Sequence, residues 1–551
     1  MKSFTLALLL SSIIFSSLSE QQMKTAFING KIFTVNEKQP LAEAVVIERN
    51  KIVFVGSTAE ANKIVDASTN VIDLQGKLML PGFIDNHVHF ISGGSYLLGI
   101  DLRPANSINE FRKILKDYAD KNPAKWITGG YWNHENWEKK DLPTKEMIDD
   151  IVPNTPVFVE RLDGHMGLAN SYTLELAGIT KDTESPDGGL IVKDPITGEP
   201  TGILKDNAMS FVYNKIPAAT FKENYDAAVA ALDEAKQLGI TSVQDITYDD
   251  ALSVFNKLKD EGKLTCRIYT RMPISDYQIL VDKKIKVGYG DDLIRMGSLK
   301  GFADGSLGSS TAWFFDKYEQ DTTTFGLPMD IITDGSMDKW CKDADKNRLQ
   351  LSIHAIGDRA NSYMLDLFAK IVEENTKWDR RFRLEHAQHV KFEDVKRFAE
   401  LGVVASVQPY HCIDDGCWAE KRIGAERIKY TYPFKSFLDA GVKMCFGTDW
   451  YVAPLNPLLG IYAAVTRRTL DDKNPDGWIA EQKISVEDAI KCYTINSAYA
   501  AFEENIKGSI ETGKLADLII LSDDILTIDP VKIKDAKVEM TIFDGKIIYK
   551  K

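Results

Sequence analysis

Residues 81–90, PGFIDNHVHF, set His87 and His89 one residue apart at the end of an apolar run that follows a Pro-Gly turn. On an extended strand, residues two apart share a face, so both imidazoles can reach one point in space. Imidazole suits zinc and neighbouring divalent metals. A cation gripped at a strand end would be half of a hydrolytic site. Taken alone, the pair reads equally well as two polar residues on the wet face of a strand.

The other histidines shift that balance. The chain has eight: His87, His89, His134, His165, His354, His386, His389 and His411. His354 in LQLSIHAIGD and His386 in FRLEHAQH each follow a short apolar run that reads as a buried strand, and VKMCFGTDW puts Asp449 at the end of another. Four separated strand ends therefore carry ligand-type side chains. Lys300, in LIRMGSLKGFADGSLGS, sits inside an apolar, glycine-flanked strand where an ammonium is costly to bury. Alone, it reads as a lysine that snorkels to solvent. Between HxH and the two later histidines, it reads as an amine that has taken up carbon dioxide to become an anionic carbamate able to bridge two cations.

The ordered motifs PGFIDNHVHF, LKGFADGSLGSS, SIHAIGD, LEHAQ, SVQPYH and FGTDW resemble those of the amidohydrolase superfamily, in particular the amidohydrolase family 3 branch of YtcJ-like metal-dependent hydrolases, from about residue 24 to the C-terminus. The resemblance implies a (β/α)8 barrel with ligands at the ends of strands one, four, five, six and eight. His87 and His89 would fall on the first, Lys300 on the fourth, His354 on the fifth, His386 on the sixth and Asp449 on the eighth.

The strand count agrees with that layout. GITSVQDI (239–246) and CRIYTRMPI (266–274) supply two strands before Lys300, and GVVASVQP (402–409) supplies one between His386 and Asp449. Helical spacing between them, as in NYDAAVAALDEAKQLG, SYMLDLFAKIVEE and FEDVKRFAELG, predicts alternating strands and helices with the chemistry at the C-terminal strand ends. The predicted fold is thus α/β, with a TIM barrel over 81–504. Residues 23–80 and 505–551 alternate apolar and polar residues around NG, RN and DG turns and are read as two halves of one β-sandwich. The stretch from about 95 to 225 is too long for a loop and predicts an inserted α/β lobe over the barrel mouth.

At 551 residues, 44% apolar and 10% aromatic, the chain has material for two or three domains around packed cores. Its formal charge of −13, from 67 basic and 80 acidic residues, argues against a nucleic-acid partner. MKSFTLALLLSSIIFSSLSEQQ has the pattern of a secretory signal peptide over 1–19, with cleavage after Ser19 and a periplasmic or secreted product free of the membrane. An uncleaved N-terminal anchor is the other reading. Six scattered cysteines lack the density of a disulfide scaffold, and of these Cys412 and Cys417 could pair. A homodimer is compatible with the sequence and not specified by it.

The ligand set implied by the resemblance holds two divalent cations, for which zinc is suited. His87, His89, Asp449 and one carbamate oxygen of Lys300 would grip the first; His354, His386 and the other carbamate oxygen would grip the second. The implied reaction is hydrolysis of a non-peptide, amide-type carbon-nitrogen bond in a small molecule by a metal-activated water, with Asp449 accepting its proton and passing it to the departing amine. A mononuclear deaminase would need a glutamate near His354, where HAIGD has none. A non-catalytic regulatory protein on the same barrel would be free to lose ligands, and all six positions are present. Expected substrate contacts are His165 in the lobe, which reads equally well as hydrogen-bonded inside its own turn, Asp304 and Ser306 after Lys300, which either line the pocket floor or brace the metal shell, and Gln408, His411 and Trp418 after the seventh strand. Trp132, His134 and Trp137 form either an aromatic wall or lobe core. Arg422 and Arg427 either brace a helix or meet a substrate carboxylate.

Overall fold

The computed structural model describes residues 24–551 apart from 124–125, 133, 135–136, 140, 162–165, 187–188 and 249, and apart from the side chains of 206 and 207. The expected leader and His165 lie outside the described residues. Eight strands form one parallel sheet: β1 Phe83–Val88, β2 Ile240–Ile246, β3 Arg267–Pro273, β4 Ile294–Phe302, β5 Gln350–Ala355, β6 Arg383–His386, β7 Val404–Val407 and β8 Met444–Phe446. Neighbours in space are neighbours in sequence, as in a barrel that winds once.

The ring closes just past the last ladder. Asp449 N–H donates to His87 C=O at 2.7 Å and His89 N–H donates to Trp450 C=O at 2.8 Å, in parallel register. Asp85 fastens the same seam, since its carboxylate accepts from the amides of His87 (3.1 Å) and Thr448 (3.0 Å) and from the Thr448 hydroxyl (2.5 Å). The backbone of one ligand pair is therefore welded to that of another. The helix Phe221–Gln237 begins with a Thr220/Glu223 capping box and buries Ala227, Ala228, Ala231 and Ala235. That small-residue face packs on the helix Phe90–Leu98 so closely that a Cβ on Gly94 would lie 1.9 Å from Ala227 O. One on Gly93 would strike the Trp450 ring at 2.2 Å, so glycine here seats the segment that carries Asp449.

The two chain ends share one six-stranded sheet, in which Leu518–Leu521 pairs antiparallel with Leu78–Pro81. A four-stranded sheet from the N-terminal segment faces it across Phe27, Ile32, Val45, Ile47, Met79, Leu518, Ile520 and Ile542. Full burial of each such large apolar side chain contributes roughly 1.5–3 kcal/mol, which ties the termini together. Between β1 and β2 a separate six-stranded sheet runs from Ile100–Asp101 to Gly189–Lys193 and carries an apolar core on each face. Trp132 and Trp137 are buried in one of those cores, where their indole N–H groups donate to Val159 O (2.9 Å) and Ala105 O (3.1 Å) and their rings meet His134. They are lobe core and not a wall of the site.

Candidate metal centre and its cavity

The strand ends converge on a cavity of about 370 Å³. His87, His89, Lys300, His354, His386 and Asp449, drawn from β1, β4, β5, β6 and the turn after β8, all line it. Asp449 Oδ1 lies 3.5 Å from His87 Nε2 and 3.3 Å from His89 Nε2. Ligands held at about 2.0–2.1 Å around a tetrahedral cation are separated by about 3.3 Å, so Asp449 Oδ1 already stands at coordination-shell spacing from each of the two imidazole nitrogens. His386 and His354 stand with ring centroids 4.4 Å apart, and His386 stands 4.8 Å from His87.

Electrostatics prepare these groups as ligands. Burial holds the His87 and His386 imidazoles well below their ordinary range, so both are neutral. Burial would push Asp449 up, but the surrounding imidazoles, with His89 hydrogen-bonded to it, outweigh burial and hold the carboxylate well below its usual range. His87 Nδ1 donates to the carboxylate of Glu385, which leaves Nε2 with its lone pair toward Asp449. His354 Nε2 donates to Gly305 C=O at 3.0 Å and leaves Nδ1 as its lone-pair nitrogen. Lys300 is 2% exposed, its amine has no hydrogen-bond partner, and burial lowers it to about 7.

His386 and Asp449 also adopt left-handed backbone conformations, with φ of 70° and 59°. Such residues cost on the order of 1–3 kcal/mol each and persist where the surroundings over-determine them, which is common at functional sites. Buried Lys300 Nζ, His386 Nδ1 and His411 Nε2 without protein partners, facing an ionised carboxylate and neutral imidazoles, are what a cation site contains before its cation is counted. The donor set fits divalent metal.

Of the expected substrate contacts, Ser306, His411 and Trp418 line the cavity. Asp304 does not. It is 1% exposed, both its oxygens are taken by the amides of Ile356 (3.0 Å), Gly357 (2.8 Å) and Trp313 (2.8 Å), and Oδ1 lies 3.4 Å from His354 Nε2, so of its two expected roles it has the bracing one, behind the turn after β5 and the His354 ring. Gln408 is buried at the end of β7 and stands behind the cavity wall. His411 carries more than expected: its ring stacks parallel to His386 at 6.5 Å, and one ligand-type nitrogen lies within 4.8 Å of atoms of His386 and Asp449. Arg427 donates to the carbonyls of Ile423, Asp316 and Lys317, and Arg422 donates to Ser310, so both brace loops. All six cysteines are free thiols, Cys412 and Cys417 included.

The sequence reading missed Glu385. Its carboxylate, fully buried, faces His87, the guanidinium groups of Arg271 and Arg383 (each 2.9 Å) and the hydroxyls of Ser352 (2.8 Å) and Ser406 (2.6 Å). The two arginines outweigh burial and hold it well below the usual carboxylate range. A period-two pattern carried the signal, since Arg383 and Glu385 share one face of β6 as Asp85 and His87 share one face of β1.

With this geometry in place, the comparisons with known proteins are decisive. Residues 70–549 match the profile described as the amidohydrolase family. This chain belongs to the amidohydrolase family. It is 31% identical to the amidohydrolase YtcJ of Bacillus subtilis, over 96% of this chain and 100% of that protein. It is 38% identical to the protein LONG AFTER FAR-RED 3 of Arabidopsis thaliana, over 90% and 86%. It is 26% identical to the N-substituted formamide deformylase of Arthrobacter pascens, over 96% and 99%. A metal-dependent hydrolase from Pyrococcus horikoshii superposes with a TM-score of 0.78 at 29% identity, over 92% of this chain and 99% of that one. This amidohydrolase is accordingly a metal-dependent hydrolase acting on carbon-nitrogen bonds, and its parallel eight-stranded barrel is the architecture expected from the sequence.

Proposed function

We propose that this amidohydrolase is an exported enzyme that hydrolyses a non-peptide, amide-type carbon-nitrogen bond in a small molecule, at two divalent cations bridged by a carboxylated Lys300. The observation that carries the reading is the Lys300 amine: buried, unpartnered and lowered to about 7, beside four imidazoles and Asp449. A lysine in that state is partly a free amine at neutral pH and therefore a nucleophile toward carbon dioxide. Carboxylation would form the nitrogen-carbon bond with loss of one proton to solvent and would give Lys300 two anionic oxygens with which to hold cations.

Zinc is the ion that this mixture of nitrogen and oxygen donors suits. His87, His89 and Asp449 would hold one ion, His354 and His386 the other, with the carbamate between them. When bound, the cations acidify water and polarise the scissile carbonyl. Asp449 sits within reach of His87 and His89 and of His386 and His411 and, being ionised, would take the proton of the attacking water and return it to the departing amine. His411, aimed at the same space, orients the substrate carbonyl. The deformylase relative acts on N-substituted formamides, which supports an amide of simple acyl type as substrate class. The leader over 1–19 supports export.

The test is to screen the metal-loaded protein against N-formyl, N-acyl and cyclic amides alongside matched esters. Amide turnover supports the reading; turnover of esters with no amide hydrolysed overturns it.

A further inference from the structure

The cavity has lining groups that the cation site does not use. Asp414 and Asp415, from the helix Pro409–Asp415, line the cavity, and Leu307, Trp418 and Val452 give it apolar surface. Asp415 is engaged through one oxygen, which accepts from Tyr432 Oη and Gln388 Nε2, both at 2.6 Å. Among the described residues the exposed Asp414 side chain has no hydrogen-bond or ion-pair partner, and Lys300 is the only lysine or arginine that lines the cavity. The two arginines that could have answered a carboxylate are committed to loop carbonyls and to Ser310. A cationic tail would find in Asp414 a carboxylate with no protein cation against it.

We propose that Asp414 sets substrate specificity, and that the amide cleaved carries a protonated amine at the end of an alkyl spacer, the spacer lying on Leu307, Trp418 and Val452 and the ammonium meeting Asp414. This rests on the amide-hydrolase reading above. It adds to that reading the chemical class of the non-reacting end.

The experiment uses the metal-loaded full-length protein and the N-formyl and N-acetyl forms of cadaverine, hexylamine and aminocaproate, which present an ammonium, a methyl and a carboxylate at the same reach. The wild type should favour the ammonium compound over the carboxylate one in kcat/KM by about tenfold or more, the scale of one charge-assisted contact. In Asp414→Asn the ammonium-to-methyl ratio should fall by about the same factor, and Asp414→Glu should restore part of it. A wild type that prefers the carboxylate compound, or a ratio unmoved in Asp414→Asn, overturns the assignment. Equilibrium binding of the same compounds separates the two claims. Ammonium-selective binding that Asp414→Asn abolishes, without hydrolysis of any compound, keeps Asp414 in its role and removes the reaction; hydrolysis with no charge preference does the reverse.

Discussion

His87 donates through Nδ1 to Glu385, and Glu385 is in turn gripped by Arg271 and Arg383 inside the barrel. The histidine that opens the ligand set therefore has its tautomer and ring angle fixed by a carboxylate from a strand across the barrel interior, and that carboxylate is kept ionised by two buried cations. Partners of this kind typically tune metal affinity by one to two orders of magnitude.

Glu385→Gln retains the shape and loses the charge. The expected result is a fall in metal affinity of about 10–100-fold, measured by competition with a chromophoric chelator. Glu385→Ala leaves Arg271 and Arg383 buried without their anion and should lower stability by about 3–5 kcal/mol in denaturant unfolding. Unchanged metal affinity in Glu385→Gln would remove the orienting role.

Activation of metal-free protein by carbon dioxide and zinc should depend on pH through Lys300. The free amine reacts, and it predominates above about 7. At fixed dissolved carbon dioxide, the activation rate should rise between pH 6 and 7 and level off by about pH 8. A solvent-exposed lysine, with its ordinary value near 10.4, would keep rising through that range.

Asp415 gives a linkage prediction of defined sign. Burial raises its carboxyl from 3.8 to about 7, against the opposing hydrogen bond from Tyr432. The folded chain thus binds this proton more tightly than the unfolded chain. Its contribution is fully present below about pH 4 and is lost as pH rises through 7. Asp415→Asn does not titrate, so melting temperatures of the metal-free proteins should shift in favour of the variant between pH 5 and pH 8. A pH-independent difference would contradict the assignment.

Arg267, on β3, donates to both oxygens of Asp517 (2.6 and 2.9 Å) and to Asp544 (2.9 Å), residues of the C-terminal half of the sandwich. Arg267→Met should cost about 3–5 kcal/mol in the first unfolding transition, because Asp517 stays buried without its cation. Arg267→Lys should recover little of it, since an ammonium lacks the fork that meets two oxygens at once.

The barrel was legible because its strands are short apolar runs with ligand residues at their ends, a pattern that PGFIDNHVHF and FGTDW display without help from tertiary context. The charged barrel interior was not. Arg271 in CRIYTRMPI and Arg383 and Glu385 in FRLEH look, in one dimension, like the polar face of a half-exposed strand. Only closure of the ring, which turns that face inward, makes them a buried network. The two roles open to Asp304 could not be separated for a related reason: a residue that follows a ligand by four positions can equally well face the cavity or turn back to brace its neighbours, and three backbone amides and the nearby His354 ring decide for the second. His411 was placed near substrate by its position after β7, while its approach to His386 and Asp449 depends on how the helix Pro409–Asp415 is seated, which spacing does not encode.

The central claim is that two cations share a carboxylated Lys300. Anomalous diffraction from crystals of the zinc-loaded protein measures it directly. The account predicts two peaks, one bounded by His87, His89 and Asp449 and the other by His354 and His386, with density continuing past Lys300 Nζ between them. A single peak with density ending at Nζ would contradict it.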